Sequence, residues 1–187
     1  MTRVFSKFIF WLAGWKVVGS FPKEVTKAVM IAAPHTSNWD FLYVRCAFYI
    51  LRVPLRYTIK KELMVLPFGF FLKKMGAIPI DRSPKEGLKR KNNMVSAMVK
   101  LFDTHDQLIV LVTPEGSRKY VKRWKTGFYR VAEQAHVPLV MGYLDYKNKE
   151  AGVGPVFYPT GNIDKDIDEI KEFYRTIVPK HPEKGVI

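Results

Sequence analysis

Short runs rich in Val, Ile and Leu alternate along this chain with longer stretches of helical periodicity, and that alternation restricts the fold more than any other feature. Val29-Met30-Ile31-Ala32-Ala33 is apolar throughout and of strand length, and Gln107 to Val112 is the most strand-like stretch of all. Further strands are expected at Arg56 to Lys60, Gly76 to Arg82, Pro138 to Tyr146 and Val153 to Tyr158. Between them lie helices: Asn38 to Arg52, stopped by Val53-Pro54; Lys85 to Thr104, with Leu88, Val95, Met98, Val99 and Phe102 on one face; and Thr126 to His136. A last helix has Asn162 as its cap, Asp164, Asp166 and Asp168 in its first turns, and Ile163, Ile167, Ile170, Tyr174 and Ile177 as its buried stripe. The expected fold is a single α/β domain, a mixed, mainly parallel sheet flanked by helices, with an amphipathic helix at its N-terminus.

The chain has 187 residues, enough for one domain with a sizeable core, and its 48% apolar content excludes disorder. Cys46 is the single cysteine and reads as core, so no disulfide framework or cysteine-rich metal site can form. The four histidines, His35, His105, His136 and His181, lie far apart and none sits in an HxxxH or HExxH pattern, so no metal site is expected. A formal charge of +14 implies an anionic partner. Lys60-Lys61, Lys73-Lys74, Lys89-Arg90-Lys91 and the run from Arg118 to Lys125 are interleaved with large apolar residues, without a nucleic-acid-binding signature. An anionic membrane surface or a phosphate-bearing substrate fits better than nucleic acid.

Residues 3 to 18 place Val4, Phe8, Trp11, Leu12 and Trp15 on one helical face, widened by Phe5, Ile9 and Phe10. The segment is shorter than the roughly 20 residues that cross a bilayer, and no small-residue cleavage site follows it. Two readings stay open: a helix lying in the membrane interface, or one packed on the domain's own core. The corresponding division is residues 1–20 as an interface helix and 21–187 as the domain. Lys61 to Phe71 is aromatic-rich, and Pro67 and Gly69 should break it into pieces; it reads as packed core or as an acyl-chain wall or membrane-facing lip.

Chemistry concentrates at strand ends. His35 follows the first long apolar run, and Asp40 falls five residues later across a strand-to-helix turn. Asp40 can hold one imidazole nitrogen and leave the other to take a proton from an alcohol. Equally, it can complete a capping box with Ser37 and leave His35 without a chemical role. Asp81-Arg82 and Pro114-Glu115-Gly116-Ser117-Arg118 end two further strands, and in open α/β sheets such ends share one crevice.

These turns in this order, followed by Val137-Pro138, resemble the blocks of the glycerolipid acyltransferase family, whose best-known member is lysophosphatidic acid acyltransferase. His35 and Asp40 match its histidine–aspartate pair, Gly76 to Arg82 its second block, Pro114 to Arg118 its third and Val137-Pro138 its fourth. Lys61-Glu62-Leu63 and Pro67-Phe68-Gly69 resemble the segment before its second block. The resemblance implies transfer of a long-chain acyl group from a thioester, acyl-CoA or acyl-carrier protein, to the hydroxyl of a lysolipid. That thioester is a co-substrate, and no other cofactor is implied. By the same likeness His35 is the general base, Asp40 sets its tautomer, Arg82 and Arg118 hold the acceptor's phosphate, and Glu115, Gly116 and Ser117 complete the acceptor site.

Pro34 and Thr113 stand where that family commonly has asparagine and an aromatic residue. The acceptor is therefore 1-acyl-glycerol-3-phosphate or, with an altered pocket, a hydroxylated amino-acid lipid. Peripheral attachment to the cytoplasmic face of a membrane is expected. The competing readings are a non-catalytic lipid-binding module and, more weakly, a hydrolase, since Ser117 lacks a Gly-x-Ser-x-Gly setting.

Overall fold

The computed structural model describes residues 2–65, 67–80 and 90–186. Its strands are β1 (Lys16–Val18), β2 (Lys27–Ala32), β3 (Leu55–Lys60), β4 (Ala77–Ile80), β5 (Leu108–Val112), β6 (Leu139–Asp145) and β7 (Glu150–Phe157). They form one sheet in the order β1-β7-β6-β2-β5-β3-β4. Neighbours run parallel except β6 and β7, which pair antiparallel because only a short turn joins them. The helices are α1 (Arg3–Ala13), α2 (Trp39–Leu51), α3 (Phe68–Lys74), α4 (Arg90–Thr104), α5 (Gly127–Gln134) and α6 (Ile163–Arg175).

Strand alternation sorts the core into two layers. Val29 and Ile31 of β2, Val110 of β5 and Met141 of β6 pack against Phe102 of α4, Phe128 of α5 and Ile170 of α6. Ala28 and Met30 of β2, with Ile109 and Val140, pack on the other face against Phe48 of α2. Burial on both faces explains why these strands read as continuous apolar runs. Cys46 lies in a third cluster, fully buried where α1 meets α2. As expected, Asn162 caps α6, its side chain accepting from the Lys165 N–H.

The N-terminal segment departs from its expected form. The helix ends at Ala13, because Gly14 adopts a left-handed conformation (φ 70°) and its N–H bonds back to the Phe10 and Trp11 carbonyls. Lys16–Val18 then forms an edge strand beside β7, and Trp15 turns inward to stack on Tyr43. One side of this helix packs on the domain's own core and the other does not. Ser6 and Phe10 are buried, whereas Val4, Phe5, Phe8, Trp11 and Leu12 remain exposed.

The expected break is present ahead of Pro67 but not at Gly69. A 3₁₀ turn spans Lys61–Leu63, and α3 begins directly after Pro67. Gly69 belongs to the helix: a Cβ there would lie 2.7 Å from the Met64 carbonyl group, so glycine permits the close approach that starts it. Pro79 sits in β4, the edge strand, where the loss of an N–H is tolerated. The expected start of the fourth helix at Lys85, and the Asp81-Arg82 pair, lie outside the described residues. Among the described residues no helix is long and apolar enough to cross a membrane.

Candidate active site

β2 and β5 lie side by side and parallel, so the loops leaving their C-terminal ends meet although they are some eighty residues apart in sequence. After Ala32 the chain leaves the sheet through Pro34, whose missing N–H ends the ladder. His35 follows, and its backbone N–H donates to Glu115 Oε1 at 3.1 Å. Its Nδ1 lies 3.0 Å from Asp40 Oδ2. The dyad and the capping box, alternatives in the sequence, coexist on that one oxygen. Asp40 Oδ2 also accepts from the backbone N–H groups of Thr36 and Ser37, each at 3.0 Å, while Ser37 Oγ accepts from the Trp39 N–H.

Asp40 Oδ1 accepts from the Tyr146 hydroxyl at 2.6 Å, a residue at the end of β6 that the sequence did not single out. Burial alone would raise the Asp40 carboxyl, but hydrogen bonds from His35, Tyr146 and Ser37 outweigh it and hold it below the ordinary carboxylate value. An ionised carboxylate can only accept, so Nδ1 carries the imidazole hydrogen and Nε2 is left as a lone-pair base. The Tyr146 phenol is pushed far up, first by burial and then by its bond to Asp40, and it stays a donor.

Glu115 is buried as deeply as Asp40 but is supported far less. Its Oε2 has no hydrogen-bond partner, and burial pushes its carboxyl up to about 7 against an ordinary value of 4.5. Gly116 then turns the chain at φ 64°, a left-handed conformation that favours glycine. Exposed Ser117 and Arg118 follow, and Arg118 Nη1 donates to the Asn38 side chain at the start of α2. Thus His35, Asp40, Glu115, Gly116, Ser117 and Arg118 gather at one end of the sheet. Arg82 lies outside the described residues. Val137-Pro138 lies at the opposite end, where the Pro138 carbonyl accepts from the Val29 N–H, so this fourth block supports the sheet.

His35 borders two spaces of opposite character. Behind it a narrow apolar cavity runs between α2 and the sheet past Val44, Phe48, Leu111 and Val153. No described residue of the 61–71 segment lines it; Phe70 and Phe71 are exposed instead. In front lies a far roomier, open basin bounded by Trp39, Arg118 and Lys119, and by Lys180, His181 and Lys184. Those last three come from beyond α6, and no motif pointed to them. Among the described residues no cluster of His, Cys, Asp and Glu could hold a metal ion.

A model of the acyltransferase family matches residues 16–143, more than half of the chain. The chain belongs to the acyltransferase family. The match spans β1 to β6 and includes both turns that meet at His35. The resemblance to glycerolipid acyltransferases drawn from the sequence blocks is borne out. Among solved structures the chain is similar to the 1-acyl-sn-glycerophosphate (LPA) acyltransferase PlsC from Thermotoga maritima, with a TM-score of 0.61 at 16% identity over 91% of this chain and 74% of that one. At that identity the likeness is one of fold, and it bears out the α/β domain with a mostly parallel sheet. No curated protein gives a significant sequence match.

Proposed function

We propose that this acyltransferase-family protein moves a long-chain acyl group from a thioester, acyl-CoA or acyl-carrier protein, to the hydroxyl of a lysolipid, with 1-acyl-glycerol-3-phosphate as the first acceptor to test. The observation that carries the proposal is the His35–Asp40 pair, 3.0 Å apart, set where an apolar cavity meets a cationic basin. The basin suits a phosphate-bearing headgroup, and the cavity suits an aliphatic chain.

In this reading His35 Nε2 takes the proton from the acceptor hydroxyl as its oxygen attacks the thioester carbonyl. The resulting imidazolium is stabilised by ionised Asp40, which is itself held by Tyr146 and two backbone N–H groups. Collapse of the tetrahedral adduct forms the ester and expels the thiolate, which takes the proton back from His35. No acyl-enzyme forms. Arg118, anchored through Asn38, presents its remaining N–H groups to the acceptor's phosphate. Arg82 would join it. Glu115 holds the His35 backbone, while Gly116 and Ser117 shape the turn beneath the acceptor.

The exposed face of α1, Val4, Phe8, Trp11 and Leu12, supports peripheral attachment to a membrane, and a thioester donor made in the cytoplasm would put that attachment on the cytoplasmic face. An amino-acid lysolipid is the second acceptor to test. The assay is acyl transfer from a long-chain acyl-CoA or acyl-carrier protein to a panel of lysolipids, with wild type and His35→Ala. Loss of the base should lower turnover at least about a hundredfold. Equal turnover in both proteins would remove His35 from the mechanism, and vesicle binding without turnover of any thioester would leave a lipid-binding module.

A further inference from the structure

Residues 177–186 follow α6 as a strap over the end of the sheet that carries His35. Two hydrogen bonds from its backbone secure it: the Val178 carbonyl accepts from the Tyr146 N–H at 2.8 Å, and the His181 N–H donates to the Thr36 side-chain Oγ1 at 3.3 Å. Pro179 between them is buried. The strap is thus fastened to the two residues flanking Asp40 in space, Tyr146 and Thr36, each of which donates to that carboxylate. It lies outside the segment that matches the family, residues 16–143.

Fastened this way, the strap delivers two cations to the basin. Lys180 Nζ sits 5.1 Å from the centre of the Trp39 ring, a cation–π contact that holds the chain toward the site rather than into solvent. Lys184 follows in a 3₁₀ turn over Pro182–Lys184. With Arg118 and Lys119 they give the basin four cations, and no carboxylate is among the described residues that line it. The nearest strap carboxylate, Glu183, has Oε1 at 3.7 Å from both Lys184 Nζ and His181 Nδ1, and it offsets only part of that charge. Cations converging on a polar concavity, with backbone supports on either side, fit an oxyanion ligand.

We infer that Lys180 and Lys184 of this strap, together with Arg118 and Lys119, form a phosphate-binding subsite in the basin beside His35. The inference rests on the proposed acyl transfer for its substrate. Two sources share the chemistry: the phosphomonoester of an acceptor, or the phosphates of a coenzyme A donor.

The test compares wild type with a Lys180→Ala/Lys184→Ala double variant, and with a Lys23→Ala/Lys165→Ala control that removes two exposed charges elsewhere. The acceptor arm sets lysophosphatidic acid against an uncharged monoacylglycerol. The donor arm sets acyl-CoA against acyl-pantetheine, which keeps the thioester and lacks the nucleotide phosphates. KM for the phosphate-bearing member of one arm should rise about tenfold, with kcat little changed, and the arm that responds names the source. Unchanged KM values, a fall shared by every substrate pair, or a rise matched in the control would each overturn the subsite. Calorimetric binding of inorganic pyrophosphate needs no turnover and keeps two failures apart. If the wild type transfers no acyl group, the proposed function fails, and the subsite stands only if pyrophosphate binds the wild type and binds the strap variant about tenfold more weakly. Equal binding, or none to the wild type, would overturn it.

Discussion

Two turns meet at His35, and each buries one carboxyl group, yet the two groups are driven in opposite directions. Asp40, at the start of α2, accepts from four donors across its two oxygens and is held below its ordinary value. Glu115, in the loop after β5, accepts from the His35 N–H with one oxygen, leaves the other unpartnered, and is pushed up to about 7. Their exposures are nearly the same, 5% and 7%, so burial does not decide which one is ionised. The supply of N–H and O–H donors does. One turn thus fixes a permanent charge beside the imidazole, and the other holds a carboxyl poised to change state.

The largest expected effect breaks the first half of that contrast. Asp40→Asn removes the charge behind His35 and releases its tautomer, and acyl transfer should fall on the order of a thousandfold. Turnover within tenfold of wild type would reduce Asp40 to a helix cap.

The second half is tested by stability against pH. Glu115 keeps its proton in the folded protein up to about pH 7 but loses it near 4.5 when unfolded, so its contribution is complete below pH 4.5 and is lost as pH rises through 7. Asp40 has the opposite sign: its contribution is present above 3.8 and is lost as pH falls through its lowered value. Glu115→Gln keeps an acceptor for the His35 N–H without ionising. It should exceed the wild type in stability at pH 8 by up to about 3 kcal/mol, and the gain should shrink toward pH 5. Urea unfolding at the two pH values measures this, and an identical pH slope in both proteins would show that Glu115 is ionised throughout.

A smaller effect sharpens the contrast by removing one of the four donors. Tyr146→Phe should cost about 2 kcal/mol of stability at neutral pH, lower turnover about tenfold, and shift acid unfolding to higher pH as Asp40 protonates more readily. Acid-unfolding midpoints of the two proteins that coincide would contradict it.

Much of this arrangement is legible in the sequence because parallel strands buried on both faces announce themselves as apolar runs, and their C-terminal ends collect polar residues. His35, Asp40 and the Glu115 loop are found that way. Tyr146 is not, because a tyrosine ending a strand looks the same whether its hydroxyl meets solvent or a carboxylate. The strap cations escape for a related reason: Lys180 and Lys184 carry no pattern until Thr36 and Tyr146 fix where that segment runs. Local signals misled at the N-terminus, where the helical stripe continues through Trp15 but the left-handed Gly14 ends the helix first. Around Gly69, the residues that should break a helix instead let one begin, a consequence of the Met64 backbone lying close by.

The bonds that assemble the site span the chain: His35 to Glu115 across 80 residues, Asp40 to Tyr146 across 106, and Thr36 to His181 across 145. A growing polypeptide therefore cannot assemble this arrangement until residue 181 has emerged and docked. Chains that stop short of Tyr146 lack one of the four donors that hold Asp40, so the carboxylate beside His35 is fully held only once that distant residue is in place.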